Sequence, residues 1–149
     1  MKEIEITISK CHIYDKVAMT AAYIGTKTVT NELYDLVAIN EEQTEILDKY
    51  LIEATSNLVS EIKQFISYTI VGGVVSLSLN VSSSFNENLF DNTNALVAHY
   101  LTNMITSKWL MIVKPEAAAD YATIASSYLL QVTKNLYHKS PIKRTEVKI

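Results

Sequence analysis

Residues 40–81 read NEEQTEILDKYLIEATSNLVSEIKQFISYTIVGGVVSLSLNV, and inside this stretch the hydrophobic period changes from that of a helix to that of a strand. Asn40 is a good N-cap, Gln43 stands three residues on as its capping-box partner, and Glu41, Glu42 and Glu45 load the first turn with negative charge that suits the helix dipole. Leu47, Leu51, Ala54, Leu58, Ile62 and Phe65 then form one apolar stripe, with Asp48, Glu53, Asn57 and Glu61 opposite, so the spacing predicts an amphipathic helix running to about Ile66. Beyond it come Tyr68-Thr69-Ile70-Val71, the pair Gly72-Gly73, and Val75, Leu77, Leu79 and Val81 alternating with Ser76, Ser78 and Asn80. Two β-type runs joined by Gly72-Gly73 predict a hairpin turn there. A lone hairpin is marginal in water and needs a third strand or a covering helix.

The N-terminus offers that strand. Ile4, Ile6 and Ile8 alternate with Glu5, Thr7 and Ser9, the two-residue period of a half-buried strand. Ile13, Val17, Ala21 and Ile24 follow at helical spacing, with Gly25 as the expected stop, and Leu33, Leu36 and Val37 suggest a short helical turn. On the other side, 82–86 is a polar connector. Helical spacing resumes near Leu89 and continues through Leu96, Val97, Tyr100, Leu101, Met104 and Ile105 toward Met111, apolar around much of its circumference as in a central helix. Lys114-Pro115 breaks it, and proline with Glu116 is well placed to open the next helix, whose stripe is Tyr121, Ile124, Ala125, Tyr128, Leu129, Val132 and Leu136. Small residues between them, such as Ala118, Ala122 and Ser126, permit close helix approach. Ser140-Pro141 ends the pattern. The expected fold is α+β, mainly α: a bundle of three to four helices with a small antiparallel sheet built on the hairpin. Residues 1–141 read as one domain and 142–149 as a short extended basic tail.

Composition narrows the function. Apolar residues make up 48% and charged residues 19% of the 149, fewer charges than the roughly 25% of an ordinary soluble domain, which suits a surface partly covered by other subunits. The net charge of -3 supplies no basic field for nucleic acid. Arg144 is the single arginine, and arginine is the usual group for bidentate recognition of phosphate or carboxylate. One cysteine, Cys11, excludes an internal disulfide, no apolar run approaches a membrane span, and the N-terminus has no signal-peptide core. The expected location is therefore the cytoplasm or a particle assembled there.

Catalytic or metal chemistry finds little support. The chain has three glycines, and Gly72-Gly73 precedes a strand, not a phosphate-cradling helix. Cys11-His12 has no second pair to complete a tetrahedral site, while His99 and His138 stand apart. Cys11 as a nucleophile needs a base beside it, and adjacent side chains generally diverge. His99 fits a half-buried packing role better. The expectation is a non-enzyme with no cofactor and no metal.

Element order and wording carry a resemblance. The capped helix Asn40-Glu41-Glu42-Gln43 leading into Ile46-Leu47-Asp48-Lys49-Tyr50-Leu51, then Leu96-Val97-Ala98-His99-Tyr100-Leu101, a further helix and a tail resemble the head–tail connector (adaptor) proteins of tailed bacteriophages. The abundance of Asn, Ile, Lys and Tyr with a single Arg is similar to ring proteins of crAss-like phages. The likeness spans roughly residues 40–136; the isoleucine strand and the 13–24 helix precede it, and the Ser-rich strand 75–81 is longer than a connector requires. It implies a structural virion protein in the portal–tail neck: a ring, commonly dodecameric, built of copies of itself. Its partners would be the portal and other neck or tail proteins, with phage DNA passing through the lumen without sequence-specific binding and no membrane involved. Ile142, Lys143, Arg144, Val147 and Lys148 are then a partner-docking tail. The rival reading is a small cellular helical protein–protein interaction module with a groove beside the 96–111 helix.

Overall fold

The computed structural model describes residues 2–26, 44–81, 85 and 87–137. Strand β1 (Lys2–Ser9) runs without a loop into helix α1 (Lys10–Thr26), which passes the expected stop at Gly25 by one residue. The Lys10 N–H donates to the Gly73 carbonyl at 2.9 Å, which ties the junction to the hairpin turn. Ile6 and Ile8 are buried, and so are Ile13, Val17, Ala21 and Ile24, the stripe expected of α1. Residues 27–43, which include Leu33, Leu36, Val37 and the capping residues Asn40, Glu41, Glu42 and Gln43, lie outside the described set.

Helix α2 spans Thr44–Glu61 and buries Leu47, Leu51, Ala54, Thr55 and Leu58. The expected helix to Ile66 is too long. The chain turns after Glu61, with the Ile62 N–H on Leu58 O at 3.1 Å and the Phe65 N–H on Ile62 O at 3.1 Å, and Phe65 opens strand β2 (Phe65–Val71). Ile62 and Phe65 stay buried although the helix has ended. Their spacing across the turn imitates the helical stripe, so periodicity alone cannot see the backbone change. A bulge between Phe65 and Ser67 follows, where Ile66 is pushed outward.

Strand β3 (Val74–Val81) pairs antiparallel with both neighbours, giving the order β1-β3-β2. Gly72 and Gly73 have φ of 62° and 77°, the two positive values that a tight two-residue hairpin demands and that glycine adopts without strain. Ile6 and Tyr68 both lie opposite Leu77, and Ile4 opposite Leu79. One face of the sheet therefore gathers Ile6, Ile8, Val75, Leu77, Leu79 and Val81 against the helices. The other carries Glu5, Thr7, Thr69, Ser76 and Ser78, the amphipathic sheet of an α+β protein.

A 3-10 turn, Glu87–Leu89, leads into helix α3 (Phe90–Val113). Leu96, Val97, Tyr100, Leu101, Ile105, Trp109 and Leu110 are buried along it. Its buried hydroxyls bond carbonyls four residues back: Thr93 to Leu89 at 2.7 Å, Thr102 to Ala98 at 2.8 Å and Thr106 to Thr102 at 2.8 Å. Lys114 is the one residue between α3 and helix α4 (Pro115–Tyr137). Its extended φ of -153° leaves the helix, and Pro115 takes the first helical position, where a missing N–H costs nothing. The two helices fold back on each other, as Ser107 reaches Ala118 and Asn135 reaches Asn92.

On α4 the buried seam is Ala118, Ala125, Val132 and Leu136, with Tyr128 and Leu129 packed at its flank. Ile124, expected in the stripe, is 41% exposed. It sits one residue, about 100° of rotation, from Ala125, and the seven-residue recurrence of 118, 125 and 132 sets the true seam. The architecture is mainly α, four helices and a three-stranded antiparallel sheet among the described residues. No helix among those residues is long and apolar enough to cross a membrane.

Candidate functional site

Where β1 becomes α1, the two elements and α3 enclose an open groove of about 320 Å³. Thr7, Ile8 and Ser9 form one wall. His12 and Lys16, four residues apart and so on one helical face, form the second. Asp91, Asn94, Ala95, Ala98 and His99 recur at helical spacing on α3 to form the third, and the two alanines keep that wall low. The groove exists because α1 and α3 run side by side in the same direction: His12 and Lys16 flank the start of α3, while Ala21 and Ile24 pack with Trp109 and Leu110 near its end.

The electrostatics of the groove are mixed. The His99 ring stacks on Tyr128, with centroids 5.1 Å apart and planes at 29°. Partial burial, and then the positive charge of Lys16, hold its imidazole below the usual histidine range. The Oδ1 atom of Asn94 is buried with no hydrogen-bond partner among the described residues, an arrangement that costs free energy unless a donor meets it. Asp91 lies in the first turn of α3, where the helix dipole favours its charge. Sequence reasoning took His12 with Cys11 as an incomplete pair and left His99, 87 positions on, standing alone. What brings them together is the parallel packing of α1 on α3. Cys11 is exposed and is not among the groove residues. Among the described residues no three histidine, cysteine or carboxylate side chains converge as a metal site.

Three polar clasps elsewhere hold the elements in place. Asp48 of α2 receives Lys10 at 2.8 Å and the Tyr14 hydroxyl, both from α1, while the Lys10 ammonium lies 5.4 Å from the Tyr14 ring centre. Burial pulls the Asp48 carboxyl upward, but the hydrogen bonds from Lys10 and Tyr14 and the charge of Lys10 outweigh it and leave it below its ordinary value. Burial, then the bond to Asp48 and its charge, then Cys11, push the Tyr14 hydroxyl far up. Lys108 of α3 meets Glu53 of α2 at 3.1 Å, and Ser56 shares a 2.8 Å hydrogen bond with Tyr68 of β2. Of the first-turn carboxylates, Glu45 is exposed at the start of α2.

Toward the far end of α1 and α3 several large apolar side chains are exposed. A second small core of Ala21, Ile24, Trp109, Leu110 and Ala118 lies there. On α1 Met19 is 71% exposed and Tyr23 is also exposed, and on α3 Met111 is 66% and Ile112 65% exposed. Beside Met111 a shallow groove of about 200 Å³ runs between α3 and α4, bordered by Ser107, Pro115, Ala118, Ala119 and Ala122. Gly72 and Gly73 lie at the hairpin tip, on neither surface. The tail residues Ile142, Lys143, Arg144, Val147 and Lys148 fall outside the described residues. Compared with known protein families, curated proteins and solved structures, the chain matches none of them.

Proposed function

We propose that this chain is a non-catalytic structural subunit that assembles with copies of itself, the apolar end of α3 beside the alanine groove being the surface it offers. The carrying observation is the exposure of Met111 and Ile112 at the end of α3, Met111 bordering a groove paved with alanine. Large apolar side chains exposed singly are ordinary, but two in succession beside a small-residue cleft suit protein contact. Exposed apolar side chains and a neighbouring cleft on one molecule suit a head-to-tail contact, which closes into a ring when the rotation per subunit allows.

The specific form we propose follows the resemblance drawn from the sequence: a ring in the neck of a tailed bacteriophage, between portal and tail, with the genome passing through its lumen. An acidic chain suits such a conduit, since like charge discourages DNA from adhering to the wall.

The test is mass photometry and negative-stain microscopy of the purified protein, alone and mixed with portal protein, repeated with Met111→Lys/Ile112→Lys. Discrete rings that the double variant loses while keeping its helical circular dichroism support the reading. A monomer that ignores portal and is unchanged by the double variant removes it.

A further inference from the structure

Strand β1 pairs with β3 on one side only, so its other edge meets no strand among the described residues. Such an edge leaves backbone N–H and C=O groups ready to take a further strand. Two hollows border β1 beside the start of α3. One is the groove of about 320 Å³ that Thr7, Ile8 and Ser9 share with α1 and α3, where Ala95 and Ala98 keep the helix wall low. The other, of about 300 Å³, lies among Ile4, Phe85, Glu87 and Phe90. A sheet edge with pockets for alternate side chains is the arrangement that accepts an extended peptide as an added strand. Glu3 and Glu5 are exposed along β1, and Asp91 stands on the α3 wall, so the peptide that suits this edge is basic.

This chain carries such a segment after α4. Residues 142–149 alternate Thr145, Val147 and Ile149 with Arg144, Glu146 and Lys148, the two-residue period of a strand with one polar face. Laid antiparallel to β1 with Lys148 opposite Glu5, the segment sets Val147 beside Ile6 and Ile149 beside Ile4 and its hollow. Glu146, its one acid, then falls opposite Thr7, in the groove that Lys16 and His12 line from α1. A slip of two residues one way would oppose Glu146 to Glu5, like charges that disfavour pairing; the other way leaves Lys148 opposite Thr7, with no acid. The end of α4 meets α3 on a different side from the groove, where Asn135 reaches Asn92 at 2.9 Å. From there residues 138–141 span at most about 14 Å, little more than the width of the helix in the way. The groove of a neighbouring copy imposes no such detour.

We propose that residues 142–149 of one copy add to the free edge of β1 in a second copy as an antiparallel strand, with Lys148 opposite Glu5 and Ile149 in the hollow beside Ile4. The inference rests on the self-assembly proposed above and names one of its contacts, tail of one copy to sheet edge of the next.

The experiment is disulfide trapping in the full chain, with the exposed native thiol removed by Cys11→Ser. A protein carrying Thr7→Cys is mixed with one carrying Glu146→Cys and oxidised, and mass spectrometry reads the product. A disulfide joining positions 7 and 146 of different chains is expected, about tenfold more abundant than one from Asn57→Cys, an exposed site on α2. Glu5→Lys should lower trapping about fivefold, and Lys148→Glu in the tail-bearing partner should restore it. Trapping at position 7 no better than at position 57, or undiminished by Glu5→Lys, overturns the proposal. So does a Thr7→Cys/Glu146→Cys chain that closes its disulfide within a monomer, which would seat the tail on its own sheet. Mass photometry of the same samples separates the two failures. Oligomers without the disulfide sink this contact alone, whereas monomers without it sink the self-assembly reading as well.

Discussion

Ser107 on α3 donates its hydroxyl to the backbone carbonyl of Ala118 on α4 at 3.0 Å, a buried hydrogen bond that spans the helix hairpin. The pair works because both residues are small: serine fits the gap, and alanine leaves its carbonyl reachable. Ser107→Ala should cost about 1 kcal/mol, the net worth of one intramolecular hydrogen bond. Ala118→Leu should cost more, because added methylenes in a packed interface force the helices apart. Urea denaturation of both variants checks the order; an Ala118→Leu protein as stable as wild type contradicts this packing.

Leu58 is fully buried in the α2 stripe. Leu58→Ala should destabilise the protein by roughly 2–5 kcal/mol through lost transfer energy and the cavity left behind. Leu58→Asp buries a charge with no partner and should cost more than about 4 kcal/mol, enough to unfold a domain of ordinary stability. Circular dichroism melts will rank them, and near-wild-type melting of Leu58→Asp would mean that α2 faces the other way.

At the hairpin tip, a Cβ on Gly72 or Gly73 would meet no atom within 4 Å, so space does not decide these positions. The positive φ does. Either glycine changed to alanine should lose about 1–2 kcal/mol, while Gly72→Asn, which tolerates the left-handed region, should lose less. Equal melting temperatures for Gly72→Ala and Gly72→Asn would contradict the turn.

Among the described residues, His99 and Asp48 both bear on the acid response. The His99 imidazole is depressed below 6.5 by burial and Lys16, so the unfolded chain binds its proton first. Its share of stability is full above that value and declines as pH falls through the lower folded value. Lys16, His12 and Asp91 share its groove, and Tyr128 stacks on it. Asp48 is depressed below 3.8, so its share is present above that pH and lost as pH drops through its folded value. Stability measured from pH 8 to pH 3 should therefore fall in two stages. His99→Gln should flatten the first and Asp48→Asn the second; an unaltered profile in either variant refutes that assignment.

Deleting residues 142–149 should leave the melting temperature intact, because the described core is complete by Leu136, and should weaken assembly if the basic tail docks a neighbour. Particle size measured by mass photometry reads this directly.

Much of the fold was legible because most stripes end where their elements end. The isoleucine alternation of β1, the Ile13–Val17–Ala21–Ile24 face and the glycine hairpin each combine a period with a boundary residue. The junction after α2 was not legible, since Ile62 and Phe65 keep helical spacing across a turn that has neither glycine nor proline. Ile124 misled for a related reason: a stripe read from composition is wider than the seam that backbone approach selects. The groove was hidden further still. Nothing local in Cys11-His12 or in Ala98-His99-Tyr100 says that α1 will lie along α3, and long-range pairing of helices leaves no mark in either segment alone.

Lys114, the single amino acid between a 24-residue and a 23-residue helix, makes the chain intolerant of changes in length at that point. One residue inserted or deleted there turns everything downstream by about 100°, which would swing Ala118, Ala125 and Val132 into water together. Substitutions along the hairpin can be absorbed one by one. A frame error at its hinge cannot, so natural variants of this protein should differ in spelling throughout α3 and α4 yet keep the same residue count across the joint.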